Sequence, residues 1–116
     1  MVYTVTFNPA IDYVVHIKDI RVGATNHSDR EEMYFGGKGI NVSRRLKTLG
    51  TESLILTFSF GEDGEKMEKS LREEGLSVWA VKCEGKLRRN VAILDSDGVA
   101  TEINEKGSSV SSEKIK

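Results

Sequence analysis

The sequence has few of the residues that would cross-link or anchor a chain. Its 116 residues include one cysteine and one proline. Because Cys83 has no partner for an internal disulfide, the sequence favours a reducing compartment. No apolar run approaches the ~20 residues of a membrane span, and the first residues lack the basic and apolar regions of a signal peptide. We therefore expect a cytoplasmic location and no membrane partner.

An excess of charge of either sign is also lacking. The formal net charge is −1, which offers no electrostatic footprint for nucleic acid. His16 has no cysteine, histidine or carboxylate at metal-ligand spacing, and both His16 and His27 lie in polar contexts typical of a surface. We expect neither a metal site nor a catalytic cysteine. The length and the 38% hydrophobic content indicate at most one globular domain of modest size.

The most informative stretch is the glycine-rich sequence that precedes the first predicted helix. Gly36, Gly37 and Gly39 flank Lys38, and Asn41 follows one turn later. Glycines let a backbone approach a ligand closely, and the free N–H groups at a helix start attract anions. The stretch favours a cradle for a small, polar, anionic ligand, with a plain loop-to-helix turn as the simpler alternative. The helix is indicated by apolar spacing and by a glycine at its end: Val42, Leu46, Leu49 and Gly50.

Two better-known glycine loops do not fit this stretch. A Walker loop requires glycine where Glu32 stands and serine or threonine where Gly39 follows the lysine. The dinucleotide-binding fingerprint requires a third glycine at the position of Val42.

The remaining pattern predicts an α/β fold. Strands alternating with helices indicate right-handed crossovers and a parallel sheet, and a later hairpin with its turn at residues 95–98 indicates a separate flap. The predicted strands cover residues 2–7, 12–18, 30–34, 53–58, 77–81, 88–94 and 99–103. Serines after Gly107 are typical of a cap for a further helix beginning at Glu113.

The second predicted helix, at about residues 63–74, is expected to bury Met67 and Leu71. Its other side carries pairs at i,i+4 spacing, which indicate a solvated face: Glu62/Lys66, Glu65/Lys69 and Glu68/Arg72.

Asp12 is placed by the pattern at the end of a central strand, where α/β proteins gather their ligands. It is therefore a candidate ligand contact, although an aspartate that only forms a turn would give the same sequence pattern.

Taken together, four stretches resemble the ribokinase-like (PfkB) carbohydrate kinases, in their 1-phosphofructokinase and tagatose-6-phosphate kinase branch. The stretches are residues 4–12, 36–43, 88–91 and 101–104, in the order and at the spacing of that family. The resemblance implies a doubly wound, Rossmann-like α/β domain with a small antiparallel β-sheet lid that often forms a dimer contact. Residues 1–116 would then be a single incomplete domain, with a core at about 1–11, 36–86 and 105–116 and a lid at about 12–35 and 87–104.

The resemblance also implies which residues hold a sugar phosphate. Asp12, Gly36, Gly37, Lys38 and Asn41 match the residues that hold the sugar phosphate in the family. Arg88 matches an arginine that contacts its phosphate, and lid residues Glu102 and Asn104 match less firmly assigned positions. The sequence departs from the family at Phe35, which replaces a proline, and at His27 and Asp29, where basic residues are frequent.

The largest departure is the absence of the Gly-Ala-Gly-Asp motif that carries the family's catalytic base and anion hole. We therefore predict no catalytic residue in this chain. ATP and Mg²⁺ would serve the full-length family enzyme and are not expected to bind this chain alone. The main hypothesis is the sugar-phosphate-binding part of a kinase for fructose 1-phosphate or tagatose 6-phosphate, with a homo-oligomer formed through the lid. A stand-alone, non-catalytic binding or dimerisation module is the alternative, and an unrelated α/β domain is a third.

Overall fold

The computed structural model describes residues 1–107, which form two β-sheets and two helices. The predicted serine cap and the helix beginning at Glu113 lie outside the described residues. The strands are β1 (Val2–Thr6), β2 (Ala10–His16), β3 (Arg30–Gly36), β4 (Ser53–Phe60), β5 (Ser77–Cys83), β6 (Arg88–Leu94) and β7 (Ala100–Asn104), and the helices are α1 (Lys38–Thr48) and α2 (Gly61–Glu73). Neither helix is long and apolar enough to cross a membrane.

The first sheet has the order β1-β4-β5, and both of its strand pairs are parallel. This confirms the parallel sheet expected from alternating strands and helices. Both helices contact the sheet, α1 mainly at β1 and β4 and α2 at β4 and β5. The core between them includes Ile55, Leu76 and the inward-facing Met67 and Leu71 of α2, as predicted.

The second sheet has the order β3-β2-β6-β7, and it contains the predicted hairpin of β6 and β7. Strand β2 pairs antiparallel with β3 and parallel with β6. The sequence-based position of Asp12 at the end of a central strand is wrong, because Asp12 lies within β2 in this second sheet. Only three residues, ending in Pro9, separate β1 from β2, so the chain passes directly from one sheet to the other.

The residues that α1 buries also differ from those that the apolar spacing in the sequence predicted. Val42 is 49% exposed and Leu49 is 72% exposed, whereas Ile40 and Ser43 are fully buried. The reason is close packing: the small residues Gly39 and Ser43 share a face with Ile40 and let the helix approach β1. The Ser43 hydroxyl lies 2.7 Å from Thr4 Oγ1, which satisfies both groups in the interface.

The glycine predicted to end the first helix does so. Gly50 follows α1 with φ of 82°, and its N–H donates to Lys47 O over 3.0 Å. The next N–H, of Thr51, donates to Leu46 O over 2.9 Å, which completes a Schellman motif. Gly75 ends α2 in the same way, with φ of 85°.

The prediction of a solvated face on α2 is wrong at one position. Glu68 is buried and accepts a 2.7 Å hydrogen bond from Ser59 Oγ of β4. Its predicted partner Arg72 does contact it, at 3.5 Å. Glu65 pairs with Lys82 of β5, at 3.8 Å, rather than with a residue of its own helix.

Replacement of Gly39 by alanine should destabilise the protein. A Cβ built there would lie 2.5 Å from Thr6 Oγ1 and 2.6 Å from the carbonyl oxygen of Val5. Helix propensity alone would make the substitution stabilising by about 1 kcal/mol. We expect instead a loss of about 1–3 kcal/mol in the free energy of unfolding, because β1 and α1 must move apart. Urea unfolding measures this difference. Val42→Ala, on the exposed face of α1, should stay within about 0.5 kcal/mol; a Gly39→Ala variant at least as stable as wild type would contradict the packing.

Candidate functional site

The two sheets meet where β2 begins, β3 ends and α1 starts. Gly36 is the last residue of β3 and pairs with Ala10, and Lys38 begins the helix two residues later. A Cβ at Gly36 would lie 2.5 Å from Asp12 Oδ2 and 3.7 Å from Asn41 Oδ1. The side chains of two predicted site residues, Asp12 and Asn41, therefore lie beside the backbone of a third, Gly36.

Asp12 belongs to a row of polar side chains that crosses the second sheet. In the strand register Asp12 is paired with Tyr34 on one side and with Asn90 on the other, and Asn90 is paired with Asn104. Asn90 Nδ2 donates to Asp12 Oδ1 over 3.0 Å. The sequence analysis did not include Asn90 among the site residues. Asn90 could have been identified from the sequence, because it follows Arg88 by two residues and residues at that spacing lie on the same face of a strand.

Arg88 connects this row to the loop that follows β1. Its guanidinium donates two hydrogen bonds to the carbonyl oxygen of Asn8, over 3.2 and 3.1 Å, and a third to Asn90 Oδ1 over 3.3 Å. Because Arg88 occupies Asn90 Oδ1, the amide nitrogen of Asn90 faces Asp12. Arg88 therefore holds the carboxylate of Asp12 in place through Asn90.

The start of α1 offers polar groups that the protein itself does not use. No side chain caps the helix, and its first turn contains no acidic residue. Within residues 1–107, the side chain of Lys38 is exposed and makes no hydrogen bond or ion pair, and the buried Thr6 Oγ1 has no hydrogen-bond partner. Gly37, with φ of 150°, leaves room for the Thr6 methyl group rather than for a ligand, since a Cβ there would lie 2.6 Å from Thr6 Cγ2. Thr6 is a second residue that the sequence analysis did not identify as part of the site.

Asn41 is oriented by a chain of hydrogen bonds from α2. Arg44 donates to Asn41 Oδ1 over 3.0 Å and to both carboxylate oxygens of Glu74 over 2.9 and 3.0 Å. With its oxygen occupied, the Asn41 side chain is left with its amide nitrogen as a donor.

Glu102 and Asn104 lie further from this centre. Both are exposed on β7, two strands away from β2, which corresponds to about 10 Å. Their alternate positions place them on the same face as Asp12 and Asn90, with Asn104 in the same row. The structure therefore brings Asp12, Gly36 and Asn41 together. Arg88 is connected to Asp12 through the hydrogen bonds of Asn90. The two β7 residues lie at the edge of the second sheet, outside this centre.

His16 is not the isolated surface residue that the sequence indicated. Its side chain is half-buried, and Nε2 lies 3.0 Å from Glu32 Oε1 on the neighbouring strand. Arg30 contacts the same carboxylate at 3.1 Å, and the Tyr34 hydroxyl donates to its other oxygen. Hydrogen bonds from Tyr34 and His16 hold the pKa of Glu32 below its ordinary value of 4.5, and the bond to Glu32 raises the pKa of Tyr34 above 10.0. All four groups are engaged with one another.

Two other clefts lie at the opposite end of the first sheet. One, of about 350 Å³, is lined mainly by loop residues such as Gly50, Thr51 and Gly75. The second lies beside Arg44 and Glu74, which neutralise each other. No group of three or more histidine, cysteine or acidic side chains in residues 1–107 is arranged to hold a metal ion.

Comparison with known proteins matches residues 5–115 to the pfkB family of carbohydrate kinases. The chain is 45% identical over 116 residues to 1-phosphofructokinase of Bacillus subtilis, covering all of this chain and 38% of that protein. It is 30% identical to tagatose-6-phosphate kinase of Staphylococcus epidermidis over 95% of this chain and 35% of that protein. A solved structure from Staphylococcus aureus, assigned as a phosphofructokinase, superimposes with a TM-score of 0.87 at 38% identity over 99% of this chain and 37% of its own. The chain thus spans little more than a third of the length of these relatives.

The carboxylate network on β3 should make stability depend on acid pH. Because the folded state lowers the pKa of Glu32, the stabilisation is present above pH 4.5 and is lost as the pH falls through the lower folded value. Glu32→Gln should therefore flatten the fall in melting temperature below pH 4.5. Thermal unfolding at several pH values measures this slope. Glu52→Gln, at an exposed carboxylate without a hydrogen bond within residues 1–107, serves as the control; equal slopes in both variants would contradict the assignment.

Proposed function

The chain belongs to the pfkB family of carbohydrate kinases, and we propose that it forms the sugar-phosphate-binding part of a phosphofructokinase-type kinase. The observation that carries the proposal is the convergence of Asp12 and Asn41 on Gly36 beside an uncapped helix start. The relatives' names include both 1-phosphofructokinase and tagatose-6-phosphate kinase. The proposed ligand is accordingly fructose 1-phosphate or tagatose 6-phosphate.

The sugar hydroxyls are assigned to Asp12 and Asn41. A carboxylate accepts hydrogen bonds from hydroxyl groups, and Asp12 has Oδ2 free toward Gly36 while Asn90 occupies Oδ1. Asn41 contributes a donor, because Arg44 occupies its oxygen. Because Gly36 has no side chain, the Asp12 carboxylate and the Asn41 side chain both approach its backbone, and a sugar is proposed to bind beside them.

The phosphate is assigned to the cations nearest this centre. Lys38 is exposed at the start of α1, where the N–H groups and the helix dipole favour an anion. Arg88 lies beside Asn8 and Asn90 and supplies a second positive charge. Asp29, which would repel a phosphate, precedes β3 at the far end of the sheet and accepts a hydrogen bond from the Lys18 N–H.

In this proposal the second sheet acts as the lid over the bound sugar, with Glu102 and Asn104 reaching the ligand from β7 when the lid closes. The polar row across this sheet supports the assignment, since it places Asp12, Asn90 and Asn104 on one face. ATP, Mg²⁺ and the catalytic base would be supplied by parts of a kinase that this chain does not carry. The alternative, a non-catalytic sugar-phosphate-binding module, uses the same residues.

Loss of Lys38 should weaken sugar-phosphate binding. A charge-assisted hydrogen bond contributes about 1.5–3 kcal/mol, so Lys38→Ala and Arg88→Ala should each lower the affinity for fructose 1-phosphate roughly ten- to hundredfold. Isothermal titration calorimetry measures the affinities, and circular dichroism checks that the variants remain folded. Arg45→Ala removes an exposed positive charge from the same helix and should bind as wild type. Wild-type affinity in both Lys38→Ala and Arg88→Ala would remove these residues from the site.

The chain alone should show no kinase turnover. Phosphoryl transfer needs an oriented nucleophile and stabilisation of the transferred group, and the proposal assigns only the acceptor side to this chain. A coupled assay with ATP, Mg²⁺ and fructose 1-phosphate is expected to stay at background. Sugar-dependent ATP consumption by the purified 116-residue chain would show that the catalytic groups are present in it.

The apolar face of the second sheet should drive self-association. Tyr13, Val91 and Ile103 lie side by side in the register of β2, β6 and β7, on the face opposite Asp12. A second copy could cover this face symmetrically, so we expect a dimer or larger species at micromolar concentration. Sedimentation should show that Ile103→Asp, at a side chain that is 59% exposed, dissociates it, whereas Val22→Asp, on a loop, does not. A single species near 12.9 kDa that is unchanged on dilution would contradict this interface.

A further inference from the structure

Arg44 makes two different kinds of contact at once. Its Nε and Nη2 groups donate to the two carboxylate oxygens of Glu74 over 2.9 and 3.0 Å, and Nη1 donates to Asn41 Oδ1 over 3.0 Å. The first two bonds form a bidentate pair between α1 and the end of α2, which fixes the plane of the guanidinium. The third bond runs from that plane to a residue of the candidate site. Arg44 therefore connects Asn41 to a residue outside the site.

Glu74 is held in turn by its own backbone and by α1. It is the C-cap residue of α2, and its N–H donates to Ser70 O over 3.1 Å. Its carbonyl oxygen accepts a hydrogen bond from the Lys47 ammonium, which lies almost one turn after Arg44 on α1. Two residues beyond Glu74, Leu76 is buried in the core. The carboxylate that aligns Arg44 is thus carried by a fixed point of the fold.

The ion pair itself contributes little to stability. The Arg44 side chain is 27% exposed and that of Glu74 is 40% exposed, and water screens ion pairs at such positions. The pair instead fixes the amide of Asn41. Because an arginine can only donate, Asn41 must turn its oxygen toward Arg44. The amide nitrogen makes no hydrogen bond to any residue between 1 and 107, so it is left as a donor.

Asn90 shows what an amide fixed in this way can do. Arg88 donates to Asn90 Oδ1 over 3.3 Å, and the Asn90 nitrogen donates to Asp12 Oδ1 over 3.0 Å. At both Asn90 and Asn41, an arginine holds the oxygen and leaves the nitrogen as a donor. The Asn90 nitrogen has a carboxylate partner, whereas the Asn41 nitrogen has none in the part of the chain that the structure describes. A ligand that contacts this nitrogen must therefore offer it an acceptor.

We propose that Arg44 and Glu74 are positioning residues that set the hydrogen-bond polarity of Asn41, so that the site selects ligands with an acceptor oxygen at this point. The inference rests on the proposed function, because it assigns that acceptor to the bound sugar phosphate. Both residues act through Asn41, and neither contacts the ligand. The Asp12 carboxylate accepts while the Asn41 nitrogen donates, so the site distinguishes ligands by the order of their donor and acceptor groups. A lysine could not replace Arg44, because a single ammonium lacks the planar fork.

Exchanging the two charged residues separates polarity from stability. In the Arg44→Glu/Glu74→Arg double variant the ion pair re-forms with its direction reversed, and the carboxylate at position 44 accepts from the Asn41 nitrogen. The Asn41 oxygen then replaces the nitrogen on the ligand side. We expect a urea midpoint close to that of wild type, but an affinity for fructose 1-phosphate at least about tenfold weaker by calorimetry. Arg44→Met, which leaves the amide free to turn, should lower the affinity by only about threefold. An exchanged variant that binds as wild type would overturn the proposal, because a merely structural pair would have been restored.

A cycle with Asn41→Ala tests whether the effect passes through Asn41. A carboxylate at position 44 also repels a phosphate directly, and that repulsion persists without the asparagine. We expect the exchange to cost only about twofold in affinity in the Asn41→Ala background. An equal loss in both backgrounds would assign the effect to charge alone and overturn the proposal. Arg45→Met, at an exposed arginine next to Arg44, should bind as wild type; a loss equal to that of Arg44→Met would also overturn it.

The side-chain amide of Asn41 tests the orientation without any ligand. In ¹⁵N-labelled protein, the exchange should move one of its proton resonances downfield, because that proton now donates to a carboxylate. The side-chain amide of Asn90 should not change. An unchanged Asn41 amide would overturn the proposal. If the Asn41 resonance moves as expected but the wild-type chain does not bind fructose 1-phosphate, the proposed function fails, while the orientation of Asn41 by Arg44 and Glu74 stands.

Discussion

The contact between the start of α1 and the end of β1 is the constraint on which the candidate site depends. Side chains at Gly37 and Gly39 would collide with Thr6 and with the backbone of Val5, so only glycine permits this approach. The helix start is thereby fixed against the sheet, and Gly36 is held beside Asp12. The same approach buries the Thr6 hydroxyl without a partner, which costs stability unless a ligand or water satisfies it. Gly37 and Gly39 thus serve the packing of the protein, and the missing side chain at Gly36 admits the Asp12 carboxylate beside its backbone.

In the second sheet, the site depends on a different constraint, because successive side chains of a strand point to opposite faces of the sheet. The side chains of Asp12, Asn90 and Asn104 fall on one face, while Tyr13 and Val91, one position further along, fall on the other. One set of strands can therefore hold a polar ligand on one side and an apolar partner on the other. A shift of one residue in the pairing of these strands would exchange the two faces. The hydrogen bonds from Arg88 on β6 to Asn8, just before β2, help to fix this register and so keep the polar row on one face.

Sequence patterns predicted the strands and helices of residues 1–107, because periodicity, turns and glycine caps are local signals. They did not predict features that depend on residues far apart in the chain. His16 and Glu32 are 16 positions apart, and Asp12 and Asn90 are 78 apart, so neither pairing has a local signature. The buried face of α1 was missed for a related reason. Apolar spacing favours Val42, but the hydroxyl-rich surface of β1 accepts Ser43 instead.

An NMR titration of the ¹⁵N-labelled chain with fructose 1-phosphate tests the central claim most directly. It reports every backbone amide and the side-chain amides of Asn41 and Asn90 separately. We predict saturable shifts concentrated at residues 36–41 and at Asp12 and Asn90, with weaker or no shifts from inorganic phosphate at the same concentration. A folded chain whose spectrum does not change, or whose shifts cluster instead around Arg44 and Glu74, would contradict the account.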